Sequence, residues 1–416
     1  MVNKEDLLEQ IMENLDQDEV VELCQEMVRI PSENPPGHLE EITEFVGRFL
    51  RNNNLEYQVM EGHRGYPVLL ARLTGNGERT LLLNGHLDVV PAGEKNRWAI
   101  PPFSGRIIDQ YLHGRGSSDM KGGVAGLLGA FKAAAKLPAL PGNVILILVP
   151  DEETGGHYGT QWLLEQGEIS GDGCLIAEPS RDHPTIGQKG SCWLKLITHG
   201  KPGHGSLSPV AGDNAILKMN QAIQVFYRLW EQDWEMPEEI KDLIIASQEM
   251  IKQEQKIPGL ERILDHVTVN VGVIRGGDKV NKIADYCEAE IDIRIPFGVE
   301  PEMVLGLVKQ EIEKLGSGFA VESLRWLSKA NYTLPEEKIV RSVVNSIKRV
   351  SGQDCRPLLQ WASSDARHFR ARGIPTIQYG PAELGGIHSY DEKVKVADLK
   401  LYSRVYATVI IDFLLS

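Results

Sequence analysis

The 416-residue sequence predicts an α/β fold built on a discontinuous domain, residues 1–186 and 299–416. That domain should carry a mixed sheet, parallel at its centre and flanked by helices, interrupted by an α+β domain over residues 187–298. Three observations support this reading. The chain is too long for one ordinary core, so two domains are expected. Helical and strand-like segments alternate, and Asn143–Pro150 (NVILILVP) is a continuous apolar run, as in a strand buried on both faces. Between about 187 and 298 the pattern shifts to period-two alternation, the mark of an antiparallel sheet with one solvated face.

Taken in order, Asp18–Ile30 and Leu39–Asn52 place apolar residues at helical spacing, while Tyr66–Leu73 and Thr80–Leu83 read as strands. A glycine-marked stretch leads into an alanine-rich helix from about Gly122 to Lys136, followed by the buried strand. Strand–helix–strand order of this kind favours parallel pairing. In the middle, Gly190–Thr198, Val267–Val273 and Tyr286–Ile295 alternate as strands, and Asn214–Trp230 reads as a long helix. Helical periodicity returns after Pro301.

Composition bounds the function. The chain is 42% hydrophobic and 25% charged, near the average for globular proteins, so a normal core is available. A net charge of −14 argues against a nucleic-acid surface, which needs a basic stripe. It leaves an anionic substrate open, because local cations or metals can dominate a cleft. Cys24, Cys174, Cys192, Cys287 and Cys355 are dispersed, odd in number and free of CxxC pairs, so neither a disulfide framework nor a thiolate zinc cluster is expected. The N-terminal residues mix charge with helical periodicity, and Val144–Val149 is too short to span a bilayer. A cytoplasmic protein without membrane partners is therefore expected.

Chemistry-bearing residues gather at predicted strand ends and loops. In GHLDVVP, His86 and Asp88 are two apart, on one face of a strand, where a carboxylate can orient a ligating imidazole. Taken alone, a merely structural role for the pair is the better reading. Asp119 in GRGSSDMKGG sits among small residues before a helix, where it could be a ligand or only a cap. Asp151, Glu152 and Glu153 follow the buried strand, and such acids repel one another unless a cation or solvent relieves them. A bland acidic turn is the competing reading. Glu178 in CLIAEPS and His388 in GPAELGGIHSYDE complete the set, each alternatively an ordinary solvated residue. Two imidazoles with several carboxylates form a donor mix suited to zinc, with cobalt or manganese as substitutes. There is no G-x-S-x-G motif for covalent catalysis.

In this order, GHLDVVP, GRGSSDMKGG, PDEETGG, AEPS and GIHSYDE resemble the M20 metallopeptidase family. That group includes acetylornithine deacetylase, succinyl-diaminopimelate desuccinylase, aminoacylase-1 and glutamate carboxypeptidases. PSENPPG, W-x-x-P-P-F and SSDARHFRARGIPTIQYGP agree as well, so the resemblance spans nearly the whole chain. It implies two Zn2+ per subunit. His86 and Glu178 would hold one ion, Glu153 and His388 the other, and Asp119 would bridge them. Asp88 would orient His86, and Glu152 would be the general base. Glu178 within Glu-Pro-Ser resembles the deacylase and carboxypeptidase branches rather than the tripeptide aminopeptidases.

The resemblance also makes the inserted domain a lid through which a homodimer forms, with His204 of HGKPGHGSLSP stabilising the oxyanion in the partner's site. Asn281 and Arg294 fall where the family binds a substrate carboxylate, a task suited to a guanidinium fork. The chain departs from the family's frequent N-V-V-P there, reading Asn281-Lys282-Ile283-Ala284. For Arg294 an ion pair with Asp292 is the alternative. The implied activity is hydrolysis of an amide bond in a small, carboxylate-bearing N-acyl amino acid. A dipeptidase or carboxypeptidase is the alternative, and a non-catalytic binding homologue a third reading.

Overall fold

The continuous apolar run forms the strand Asn143–Val149, paired on both sides. In the computed structural model, which describes residues 3–324 and 327–416, the chain divides into two units. The first comprises Met1–Ile186, Tyr332–Pro357 and Ser364–Ser416, and the second Gly187–Asn331 with Leu358–Ser363.

In the first unit the strand order is Tyr57–Glu61, Pro67–Leu73, Asn143–Val149, Thr80–His86, Gly173–Ile176 and Thr376–Gln378. The last four of these run parallel, while the first two add antiparallel at one edge. A mixed sheet with a parallel centre and flanking helices is thus the architecture. The helix Lys121–Ala135 links two of the parallel strands and is buried along almost its whole length. Its small residues allow that depth. A Cβ on Gly123 would lie 2.2 Å from the Ala177 carbonyl oxygen, so only glycine permits such close approach to the segment bearing Glu178.

The second unit is a four-stranded antiparallel sheet ordered Thr268–Gly276, Tyr286–Ile295, Gly190–His199, Phe319–Ser323. Cys192, Leu194, Leu196, Ile291, Ile293 and Ile295 point to one face, which is covered by helices including Ala215–Tyr227 and Pro301–Glu313. Val304, Val308 and Ile312 recur every four residues and join that core. Helical periodicity after Pro301 assigned this segment to the discontinuous domain. Its apolar stripe instead packs on the second sheet, and the unit runs on to Asn331. Periodicity identifies a buried face but not the partner that buries it.

Other boundaries moved by a few residues. The strand expected over Thr80–Leu83 continues to His86, because its parallel neighbours also bond Asn84 and Gly85. The long helix closes at Tyr227 and tightens into a 3-10 turn over Arg228–Glu231. Among the described residues no helix is long and apolar enough to cross a membrane.

Candidate metal centre

The parallel strands all end on one side of the sheet, and that is where the acids and histidines collect. His86 closes its strand opposite Val149. Asp151, Glu152 and Glu153 follow Val149, and Glu178 comes two residues after Ile176. The strand Thr376–Gln378, in register beside Gly173–Ile176, leads into the loop that brings back His388. Asp119 stands just before the helix Lys121–Ala135. Sites in open α/β sheets form beyond the carboxyl ends of the strands because the connecting loops converge there.

Within this cluster Asp119 occupies the middle. Its Oδ1 is 3.1 Å from His86 Nε2, and its Oδ2 is 3.3 Å from His388 Nε2. His86 Nε2 also lies 3.8 Å from Glu178 Oε1, and His388 Nε2 lies 3.1 Å from Glu153 Oε2. Donor atoms of His86, Asp119 and Glu153 lie within 4.8 Å of one another, as do those of His86, Glu152 and Glu178. Ligands bonded at about 2.0 Å in a tetrahedron are about 3.3 Å apart. These side chains therefore fit a divalent cation, and the two Asp119 oxygens face different histidines.

The electrostatics point the same way. Burial pushes Glu152 well above the usual carboxylate range, with Glu178 adding to the effect. Burial likewise raises Glu178 to about 8, against the pull of His86, and raises Glu153. Hydrogen bonds to Asp119 and Glu153 lift His388 to about 11. His86 is lifted too: burial opposes it, but hydrogen bonds to Asp119 and Asp88 prevail. For Asp119 desolvation works in the opposite direction, yet its hydrogen bonds with both histidines hold it below the usual range. Four clustered carboxylates with two imidazoles form a charge arrangement that a dication relieves directly.

Asp88 does more than the H-x-D spacing suggested. His86 Nδ1 meets the Asp88 carbonyl at 2.9 Å, while the carboxylate Oδ1 is 3.4 Å away. Asp88 Oδ2 accepts from Asn34 Nδ2 at 3.0 Å and from the Glu153 amide at 3.2 Å. The Asp88 carbonyl thus holds the His86 ring, while its carboxylate holds the Glu152–Glu153 turn.

That turn is also held from behind. Arg367 Nη2 donates to the Gly155 carbonyl at 2.7 Å, and Thr160 Oγ1 donates to Asp365 Oδ2 at 2.5 Å. Gly156 has φ +68°, and a Cβ there would meet Asp365 Oδ1 at 2.0 Å, so the position requires glycine. Asn34, Asp365 and Arg367 had no role in the sequence reading. Their only signal was membership of PSENPPG and SSDARHF, stretches that otherwise look like loop chemistry.

The remaining three expected residues belong to the second unit. His204 is exposed and its Nδ1 is 2.8 Å from Ser206 Oγ. Its neighbour Gly205 donates to the Asn281 carbonyl at 2.8 Å, and the Asn281 residue is exposed. Arg294 pairs with Asp292 through Nε and Nη2, each 3.0 Å from Oδ2. The ion pair weighed as the alternative for Arg294 is therefore present.

Metal should matter to stability as well as to chemistry. Returning zinc to chelated protein at about 100 times its Kd should stabilise the fold by about 2.7 kcal/mol. For a chain of this size that corresponds to a rise in Tm of about 3 °C. A calorimetric scan with an unchanged midpoint would contradict the fit of this cluster to a dication.

Comparison with known proteins gives the fold and the family. The structure of Sso-CP2 from Sulfolobus solfataricus, described as an M20 family metallo-carboxypeptidase, superposes with a TM-score of 0.82 at 21% identity, covering 96% of this chain and 100% of that one. Human carnosine dipeptidase 1 gives 0.81 at 16% identity, with 100% of both chains covered. Bacillus subtilis YXEP, described as a dinuclear metal-binding peptidase of the M20 family, gives 0.66 at 15% identity over 96% and 98%. These likenesses show the shared fold. The sequence profile of peptidase family M20/M25/M40 matches residues 82–412, which takes in every strand-end residue of the cluster, and the chain therefore belongs to that family of metal-dependent hydrolases of amide bonds.

Proposed function

We propose that this protein removes the acyl group from a small N-acyl amino acid that carries a free carboxylate. The observation that supports the chemistry is Asp119, whose two oxygens face His86 and His388 while Glu152 stands in the same cluster. In this reading His86 and Glu178 hold one Zn2+, Glu153 and His388 hold a second, and Asp119 is shared. Co2+ or Mn2+ could substitute, since the donors are nitrogen and oxygen. Two such ions would supply a water of lowered pKa and a polarised substrate carbonyl.

The chain's own groups do the rest. Glu152 accepts a proton from the attacking water as the carbon–oxygen bond forms. It returns that proton to the amine nitrogen as the carbon–nitrogen bond breaks, leaving a carboxylic acid and an amine, and the acid then gives up the water's second proton, so that the products are a carboxylate and an ammonium. Asp88 holds His86 in one orientation through the imidazole Nδ1 side. His204, with Nδ1 engaged by Ser206, would donate from Nε2 to the developing oxyanion in a partner's site. That role requires the homodimer we propose to form through the second unit. Asn281 and Arg294 would receive the substrate carboxylate. Arg294 shares its guanidinium with Asp292, so the substrate would meet a partly neutralised cation. The five free thiols fit a reducing compartment, and the cytoplasm is the proposed location.

A dipeptidase or carboxypeptidase using the same groups is the second reading. It is supported by the descriptions of Sso-CP2 and carnosine dipeptidase 1, which share this fold at TM-scores of 0.82 and 0.81. A panel of N-acetylornithine, N-succinyl-diaminopimelate, other N-acetyl amino acids and dipeptides, assayed with zinc- and cobalt-loaded enzyme, separates the two. A kcat/KM at least about tenfold higher for one acylated amino acid is expected. Preference for dipeptides would replace the first reading with the second.

A further inference from the structure

Asp119 and His388 come from distant parts of the chain, yet their side chains meet at 3.3 Å. His388 lies on a loop without strand or helix, in the left-handed region at φ +55°, with about half its side chain exposed. Its own ring contacts are with Asp119 and Glu153. Something behind the loop must therefore set its position.

Arg115 and Glu392 stand there, each buried, with Nη1 and Oε2 2.6 Å apart. Glu392 Oε1 accepts from the amides of Ser118 and Asp119, at 2.9 and 3.1 Å. Arg115 Nη2 donates to the Ser389 carbonyl at 2.9 Å, on the residue next to His388. The Gly114 amide donates to the Glu392 carbonyl at 2.9 Å, and Ser118 Oγ donates to the Lys393 carbonyl at 2.8 Å. Beneath the guanidinium lies the Trp98 ring, 5.2 Å from its centroid to the Arg115 Cζ.

A buried ion pair is weak evidence for stability, because desolvation offsets the Coulombic gain. Its directional bonds are another matter. One carboxylate oxygen grips the backbone of Asp119, and one guanidinium nitrogen grips the backbone beside His388. The planar fork fixes these two connections relative to each other, which an ammonium cannot do. The symmetry of the placement is plain in the sequence: Arg115 precedes Asp119 by four residues, and Glu392 follows His388 by four.

We infer that the buried Arg115–Glu392 pair is a positioning device that locks Asp119 and His388 into one ligand pair, so that the ion on the His388 side depends on it. The inference rests on the two-ion reading given above. Arg115→Lys keeps the charge but cannot reach both Glu392 and Ser389. Apo wild type, Arg115→Lys and His388→Ala would be titrated with Co2+, followed by calorimetry and visible d–d absorption, with thermal melts to confirm folding. The wild type should take up two equivalents, and His388→Ala should identify the one on its side by losing it. Arg115→Lys should weaken that same equivalent by about 10–100-fold, and the other, which shares only Asp119 with it, by clearly less. Glu392→Gln, which keeps an acceptor for Ser118 and Asp119 but turns an amide toward Arg115, should produce the same selective loss. Two equivalents in the wild type with no selective weakening in Arg115→Lys would overturn the inference alone. A wild type that binds one equivalent would overturn the two-ion reading, and the inference with it.

Discussion

Replacing Glu152 by Gln should lower kcat by about 10³-fold while both metal equivalents stay bound. The two side chains have nearly the same shape, so the pocket is preserved. The amide cannot take a proton from water or return one to the leaving amine. Burial already disfavours the charged form of Glu152, and Glu178 adds to the effect, so this carboxyl is primed to accept a proton. A competing role is written in the geometry, since Glu152 shares with His86 and Glu178 a set of donor atoms within 4.8 Å. Metal analysis separates the two. A variant that loses one equivalent along with its activity would make Glu152 a ligand, and a variant with near-normal kcat would remove it from the chemistry.

Asp119→Asn should be at least as damaging, with kcat reduced by about 10³-fold or more. That exceeds the 10–100-fold typical when an outer partner of a ligand is lost. An ionised carboxylate accepts on both oxygens, whereas an amide presents one acceptor and one donor group. With Oδ1 toward His86 and Oδ2 toward His388, whichever way the amide turns, one position faces an NH2 that cannot ligate. Metal content should fall below two equivalents at limiting metal, together with activity. An Asp119→Asn enzyme that keeps two tightly bound ions and a kcat within about tenfold of wild type would rule out the shared-carboxylate reading.

Much of the fold was legible because its signals are local. Asn143–Val149 announces a doubly buried strand through composition alone, and the alternation over Tyr286–Ile295 gives a half-buried strand with the same limits the structure shows. The strand through His86 extends further than its apolar run, since pairing with Asn143–Val149 overrides the weak propensity of Asn84 and Gly85. Pro301–Glu313 packs with the second unit and not with the domain its periodicity predicts, because an amphipathic helix displays the same stripe whichever sheet it covers.

At the centre, the donor types and their placement at strand ends are readable from the chain alone: His86, Glu152, Glu153 and Glu178 each follow or close an apolar run, and Asp119 precedes a helix. Those placements depend on periods of two and 3.6 residues and on turn chemistry, which act over a few residues. Only the tertiary structure decided which atoms meet. It put one Asp119 oxygen before each histidine, joined Asp88 to the Glu153 amide, closed Arg294 onto Asp292, and buried Arg115 against Glu392. Such contacts are set to a few tenths of an ångström by parallel register, by a helix close enough to need Gly123, and by loops returning from distant segments. Spacing along the chain carries no measure of those distances.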